Sequence, residues 1–180
     1  MGFHVSAKVE RFPIMSTSAD GPADLFFAQM EDLCGMESQL AGHLLELEAA
    51  AADPMLAELL GDYARKVSLH HQEILGLFHH HRRDTGNNAC KGIEGLVEEG
   101  KAHIASVPEG GTRDLMIIAH VLRVLAYGNA AYEITSRLAG QLDLAGDAGV
   151  LMDLRQGGRR AAEDILALQP PIFETAFRRP

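Results

Sequence analysis

The chain has 180 residues, 47% of them hydrophobic and 23% charged, which excludes a disordered chain and leaves room for one domain with a real core. Acidic residues outnumber basic ones by 25 to 16, a formal charge of -9 that argues against nucleic-acid binding, where affinity comes largely from Lys and Arg on phosphates. No uninterrupted apolar run approaches the roughly 18 residues of a membrane span, and two cysteines without a secretory signal point to a reducing cytoplasm.

Residues 1–20 lack periodicity and read as a flexible leader, in which Met15 is an alternative start. Met1-Gly2 with Ser6 fits the loose N-myristoylation pattern, but a chance match in a tail explains it better. From Asp24 onward the pattern is helical. Phe26, Met30, Leu33, Glu37, Leu40, Leu44 and Leu47 recur in alternating steps of four and three, the seam of a bundle helix. Asp53-Pro54 supplies an N-cap and a first-turn proline for a second helix, with Leu56, Leu60, Tyr63, Val67, His70, Ile74 and Leu77 on its seam. That helix runs out near His79, His80 and His81, before the Asp84-Thr85-Gly86-Asn87 loop.

A shorter helix is expected from about Ala89 to Val107, holding Ile93, Leu96, Val97 and Ile104. Thr112 can cap the next, whose seam reads Leu115, Ile118, Leu122, Leu125, Asn129, Tyr132 and Ser136. After a glycine-rich turn near Gly146 the last helix offers Leu151, Leu154, Gly158, Ala161, Ile165 and Leu168, and Pro170-Pro171 ends it. The expected fold class is all-α: a bundle over residues 21–169 made of four long helices and an additional short one, followed by a C-terminal tail, 170–180.

Each long helix has one polar residue or glycine near its midpoint: Glu37, His70, Asn129 and Gly158. If the first two helices turn near residue 52, Glu37 lies level with about residue 68; the same counting places Asn129 level with about residue 158. A buried layer of Glu37, His70, Asn129, Tyr63 and Tyr132 is therefore expected. A buried carboxylate costs several kcal/mol unless paired, hydrogen-bonded or protonated. Glu37 has three explanations: a metal shared with His70; a hydrogen bond to His70 or an ion pair with Lys66 or Arg65; or a seam rotated so that Glu37 meets water.

The stretches DLFFAQMEDLCGMESQL, ADPMLAELL and ACKGIEGLVEEG resemble, in order and spacing, the ferritin-like YciE/YciF family, a domain of unknown function. The resemblance covers about Asp24 to Leu168, with Arg123-Val124, Tyr127 and Ala130-Ala131-Tyr132 as later matches. It implies a ferritin-like four-helix bundle with an added short helix, commonly a homodimer, associated with bacterial stress responses and carrying a di-metal centre of no established reaction. Glu37 occupies the first ligand position. The other acidic positions read Lys66, Leu125 with Gly128, and Gly157 or Gly158. Two hard cations need about four carboxylates, so the expected protein has lost that centre, binds no cofactor and is non-catalytic.

The competing expectation is one iron, manganese or zinc ion at Glu37 and His70, with Glu73 or Asp62. A third is a small-molecule pocket beside Gly128, Gly157 and Gly158, against which stands space filled by Tyr63, Tyr127 or Tyr132. Of nine histidines, five lie between His70 and His81. Consecutive helical residues point about 100° apart, so His79, His80 and His81 suit a solvated helix end better than a ligand set. A surface contact between His70 and Glu73 is expected, and of the histidines only His70 is placed in the core. Cys34 and Cys90 read as reduced core or surface thiols.

Overall fold

The computed structural model describes residues 20–86 and 89–178. The leader up to residue 19, with Met15 and the Gly2–Ser6 pattern, lies outside the described residues. Six helices follow in chain order: α1 Pro22–Ala50, α2 Pro54–His80, α3 Lys91–Ala105, α4 Gly111–Gln141, α5 Ala145–Ala167 and α6 Gln169–Phe177. There is no strand among the described residues, and the fold is an all-α bundle. The hairpins α1/α2 and α4/α5 pack face to face through α1 on α4 and α2 on α5, while α3 lies against α4 and α1.

The starts of α1 and α2 follow from local chemistry. Pro22 and Pro54 occupy first-turn positions, where their missing N–H costs nothing. The Asp53 carboxylate accepts from the Met55 and Leu56 amides, both at 3.0 Å. All seven α1 seam residues, including Glu37, are buried. In α2 the seam holds except at His70, which is partly buried, and at its end, where Phe78 is buried in place of Leu77.

Four expectations change. In α4 the expected Ile118, Leu125, Tyr132 and Ser136 are buried, but the buried face also takes in Ile117, Val121, Val124 and Gly128, while Leu115, Leu122 and Asn129 are only half-buried. This helix is apolar nearly all round, so the pattern alone leaves its rotation open; it is even long and apolar enough to cross a bilayer, though here its stripe faces the other helices. Its first residue is capped by Gly110 at φ 97°, a conformation only glycine takes readily, and Thr112 lies inside the helix. The α4–α5 turn is made by Asp143 at φ 59°, with Leu144 N–H donating to Ala139 O at 2.9 Å, so Gly146 falls within α5. Finally, Pro170-Pro171 end α5 but do not begin a loose tail. They sit in the first turn of α6, which buries Ile172 and packs on α4.

Candidate functional site

The site forms where the midpoints of α1, α2, α4 and α5 meet. Glu37 is buried because it sits between Leu33 and Leu40 on the innermost stripe of α1, with 2% of its surface exposed. Tyr132, one turn beyond Gly128 on α4, donates its hydroxyl proton to Glu37 Oε1 at 2.6 Å. Glu37 Oε2 has no hydrogen-bond partner, and neither has the buried His70 Nδ1, which stands 3.8 Å from it. Tyr63 closes the layer, its ring edge-on to His70 with centroids 6.5 Å apart.

The glycines are filled around rather than hollow. A Cβ on Gly158 would meet Asn129 Oδ1 at 3.4 Å and the Tyr63 hydroxyl at 3.5 Å; one on Gly157 would meet His70 Nε2 at 3.1 Å. A Cβ on Gly128 would meet Met36 Sδ at 3.4 Å. The space among these groups is about 10 Å³ for the centre of a water-sized sphere, about one water at most. The counting of levels holds here, since Asn129 does sit against Gly158.

Electrostatics follow from burial. Desolvation pushes the Glu37 carboxyl up to about 7, against the opposing effect of the Tyr132 hydrogen bond. Burial and the charge of Lys66 push His70 down. The Tyr63 and Tyr132 hydroxyls are pushed up by burial and by the neighbouring carboxylate. Near neutral pH this layer therefore exchanges a proton at Glu37 and keeps His70 neutral.

Other expected partners stand elsewhere. Glu73 is exposed and makes no contact with His70, because the α2 face that buries His70 turns Glu73 outward. Asp62 pairs with Arg65 at the surface, and Lys66 is exposed. Tyr127 covers Gly92 and lies 3.3 Å from Cys90 Sγ, far from the glycines of α5 that it was expected to fill.

A di-metal centre does not fit these residues. The layer offers one carboxylate and one imidazole, while the remaining ligand positions are an exposed lysine, a buried leucine and glycines packed against neighbours. Among the described residues no three side chains of His, Cys, Asp or Glu come together to hold an ion. The two unpartnered atoms, Glu37 Oε2 and His70 Nδ1, are the most that a cation would find.

The placement of the histidines needs correction. His70, expected in the core, is only partly buried, with 12% of its side chain exposed; the buried histidines are His43 and His120, 3% and 2% exposed, which meet through their Nε2 atoms at 2.7 Å. His43 Nδ1 lies 3.3 Å from Glu46 Oε2, which also pairs with Lys101. Gly100 on α3 lies against the His120 ring, where a Cβ would come within 2.2 Å of it. The signal was present in the spacing: His43 follows Leu40 by three and precedes Leu47 by four, and His120 stands likewise between Ile117 and Val124. His81 is also tied down, 2.5 Å from Asp147 on α5, whereas His79 and His80 are exposed.

Comparison with known proteins gives a consistent outcome. A family described as a domain of unknown function, DUF892, matches residues 21–177. The crystal structure of the E. coli stress protein YciF is similar at a TM-score of 0.82 and 22% identity, over 86% of this chain and 98% of that one. YcfI from Rhodopseudomonas palustris is similar at a TM-score of 0.82 and 17% identity, over 86% and 99% of the two chains. No curated protein matches the sequence.

Proposed function

The chain belongs to the DUF892 family of unknown function, and from that premise we propose a non-catalytic binding or structural role for a ferritin-like bundle that has exchanged a di-metal centre for a buried polar network. In this reading the protein is a homodimer of the bacterial cytoplasm, binds neither nucleic acid nor membrane, and serves in stress physiology, the setting in which YciF is named. The observation that carries it is the Tyr132 hydroxyl on Glu37 at 2.6 Å, in a layer where Asn129 and Tyr63 pack against Gly158 and Met36 against Gly128. A hydroxyl and packed rings there do the work of closing the core, which a reaction centre would leave open.

The rival reading places one iron, manganese or zinc ion between Glu37 and His70. It has one observation in its favour: both Oε2 and Nδ1 are buried without a partner. Metal analysis of untagged protein from metal-supplemented cells separates the two. The non-metal reading expects no iron or manganese above trace amounts, and a melting temperature indifferent to either ion. About one equivalent of metal that disappears in Glu37→Ala overturns it.

A further inference from the structure

The buried pair His43 and His120 is also the seat of α3. That helix lies outside the two hairpins, against α4 and α1, and its buried residues are Ile93, Gly100 and Ile104. Steps of seven and four place these three on one stripe of the helix. Gly100 rests on the His120 ring, where a Cβ would stand 2.3 Å from Nδ1 and 2.5 Å from Nε2. A groove of about 270 Å³ between α1 and α3, bordered by Glu46, Glu98 and Lys101, brings solvent to the edge of His43.

We propose that the His43–His120 pair is a proton-operated latch for α3: the rings hold that helix on the bundle with up to one added proton, and a second releases it from α1 and α4 while the two hairpins stay packed. The two rings face different surroundings. His43 has the Glu46 carboxylate 3.3 Å from Nδ1, with Lys101 of α3 paired to Glu46 and Glu94 and Glu98 along the same groove. A first added proton on His43 is compensated there, and a neutral His120 still accepts from its Nε2–H at 2.7 Å. The charges that act on His120 are cationic: Arg123 of its own helix and, once protonated, His103 of α3 and His43 itself. From α2 the Tyr63 side chain borders both rings. A second proton sets Nε2–H against Nε2–H and places a cation directly under Gly100, in a site shielded from water.

Which part gives way follows from how little each part buries. α3 has three buried residues, whereas each helix of the hairpins has six or more. An element with so little burial opens before the whole. The α1–α4 interface also gains from acid at another level, because the Glu37 carboxyl, pushed up to about 7 by burial, is best accommodated neutral. In the open form His120 meets water and takes up its proton near pH 6.5, as an exposed histidine does. Opening therefore grows by about tenfold per pH unit below that value and levels off towards pH 4. It uncovers Ile93, Ile104 and the Cys90 thiol, whose partner Tyr127 stays on α4.

The test is hydrogen exchange of the full chain at pH 7 and pH 4.5, read by mass spectrometry, with each rate divided by the intrinsic rate at that pH. Protection of α3 should fall at least tenfold at the lower pH, while that of α5 holds within about threefold. His120→Gln can donate to His43 or accept from it but takes up no proton, so it should keep α3 protected at both pH values. Labelling of Cys90 by 4,4′-dithiodipyridine in Cys34→Ser, expressed against the urea-unfolded chain at the same pH, should rise at least tenfold between pH 7 and 4.5. Equal losses in α3 and α5 mean global destabilisation and overturn the proposal. So does α3 held fast at pH 4.5, or released equally in His120→Gln. Where that variant does not fold, the comparison of α3 with α5 in the unaltered chain decides alone.

Discussion

His43 and His120 are joined Nε2 to Nε2 at 2.7 Å across the α1–α4 interface, and only one of the two nitrogens can carry the bridging proton. The pair works only while at least one ring is neutral. Burial lowers both pKa values, that of His120 to about 4, with His43, Arg123 and His103 adding to the effect; for His43, Glu46 opposes it and Lys101 adds to it. An unfolded histidine takes up its proton near pH 6.5, so the unfolded chain binds protons first as pH falls. The stability held by His120 is thus fully present above pH 6.5 and is lost as pH drops towards 4, by about 3 kcal/mol. Urea unfolding between pH 4 and 7.5 should show this loss, and His120→Gln should remove most of it.

Glu37 works in the opposite direction. Its folded pKa, about 7, lies above the unfolded value of 4.5, so the stability it contributes is complete below pH 4.5 and fades as pH rises through 7. The loss amounts to about 3 kcal/mol. Glu37→Gln keeps an acceptor for Tyr132 and cannot ionise. It should match the wild type at pH 4.5 and exceed its stability by about 2–3 kcal/mol at pH 8, as read by denaturant midpoints at the two pH values.

Tyr132→Phe removes the one donor that favours the ionised carboxylate. The Glu37 titration should then move further above 7, as followed by carboxyl infrared bands, and stability at pH 8 should fall by about 1–3 kcal/mol. An unchanged titration would show that the hydroxyl is not the group holding Glu37.

Two glycines on α3 should answer the same substitution with opposite sign. Gly95 faces open space, so Gly95→Ala should stabilise by about 0.5–1 kcal/mol through helix propensity. Gly100→Ala drives a methyl into the His120 ring, at 2.2 Å from Cε1, and should destabilise by about 1–3 kcal/mol. Thermal melts of the two variants settle the comparison.

Asp114, in the first turn of α4, accepts from the amides of Ala52 and Asp53 at 2.8 and 3.0 Å, fixing the turn between α1 and α2. Both carboxylates satisfy two backbone donors, but Asp114 does so buried, at 2% exposure, so removing it should cost more than removing the partly exposed Asp53 cap. Asp114→Ala is expected to lose about 2–4 kcal/mol and Asp53→Ala about 1, measured by equilibrium unfolding at pH 7.

Glu37 was legible because a charge interrupting a strict apolar seam has no bland place to go, and the hairpin counting set Asn129 opposite Gly158. The rotation of α4 was legible only in part: Ile118, Leu125, Tyr132 and Ser136 are buried as expected. Leu115 and Leu122 compete with Ile117 and Val121 for the inner face, and only packing against α1 decides between them. His43 and His120 were missed because each stands next to a stronger apolar neighbour, Leu44 and Val121, that accounts for the spacing unaided. Glu73 was misjudged for a related reason: i, i+3 spacing places two residues on one side of a helix without bringing their side chains into contact. The α6 helix was hidden by its prolines, which end one helix and open another equally well.

The seat of α6 bears on when the bundle can close. Ala176 lies against Gly111, its backbone nitrogen 2.7 Å from where a Cβ would stand, so the last turn of α6 rests on the opening turn of α4. During vectorial synthesis α1 and α2 emerge first and can pair, but the residues that cover the start of α4 emerge only after α5. Closure of this end of the bundle therefore waits on α6, and a chain cut short before Ile172 would expose an apolar seam at one end of an otherwise assembled bundle.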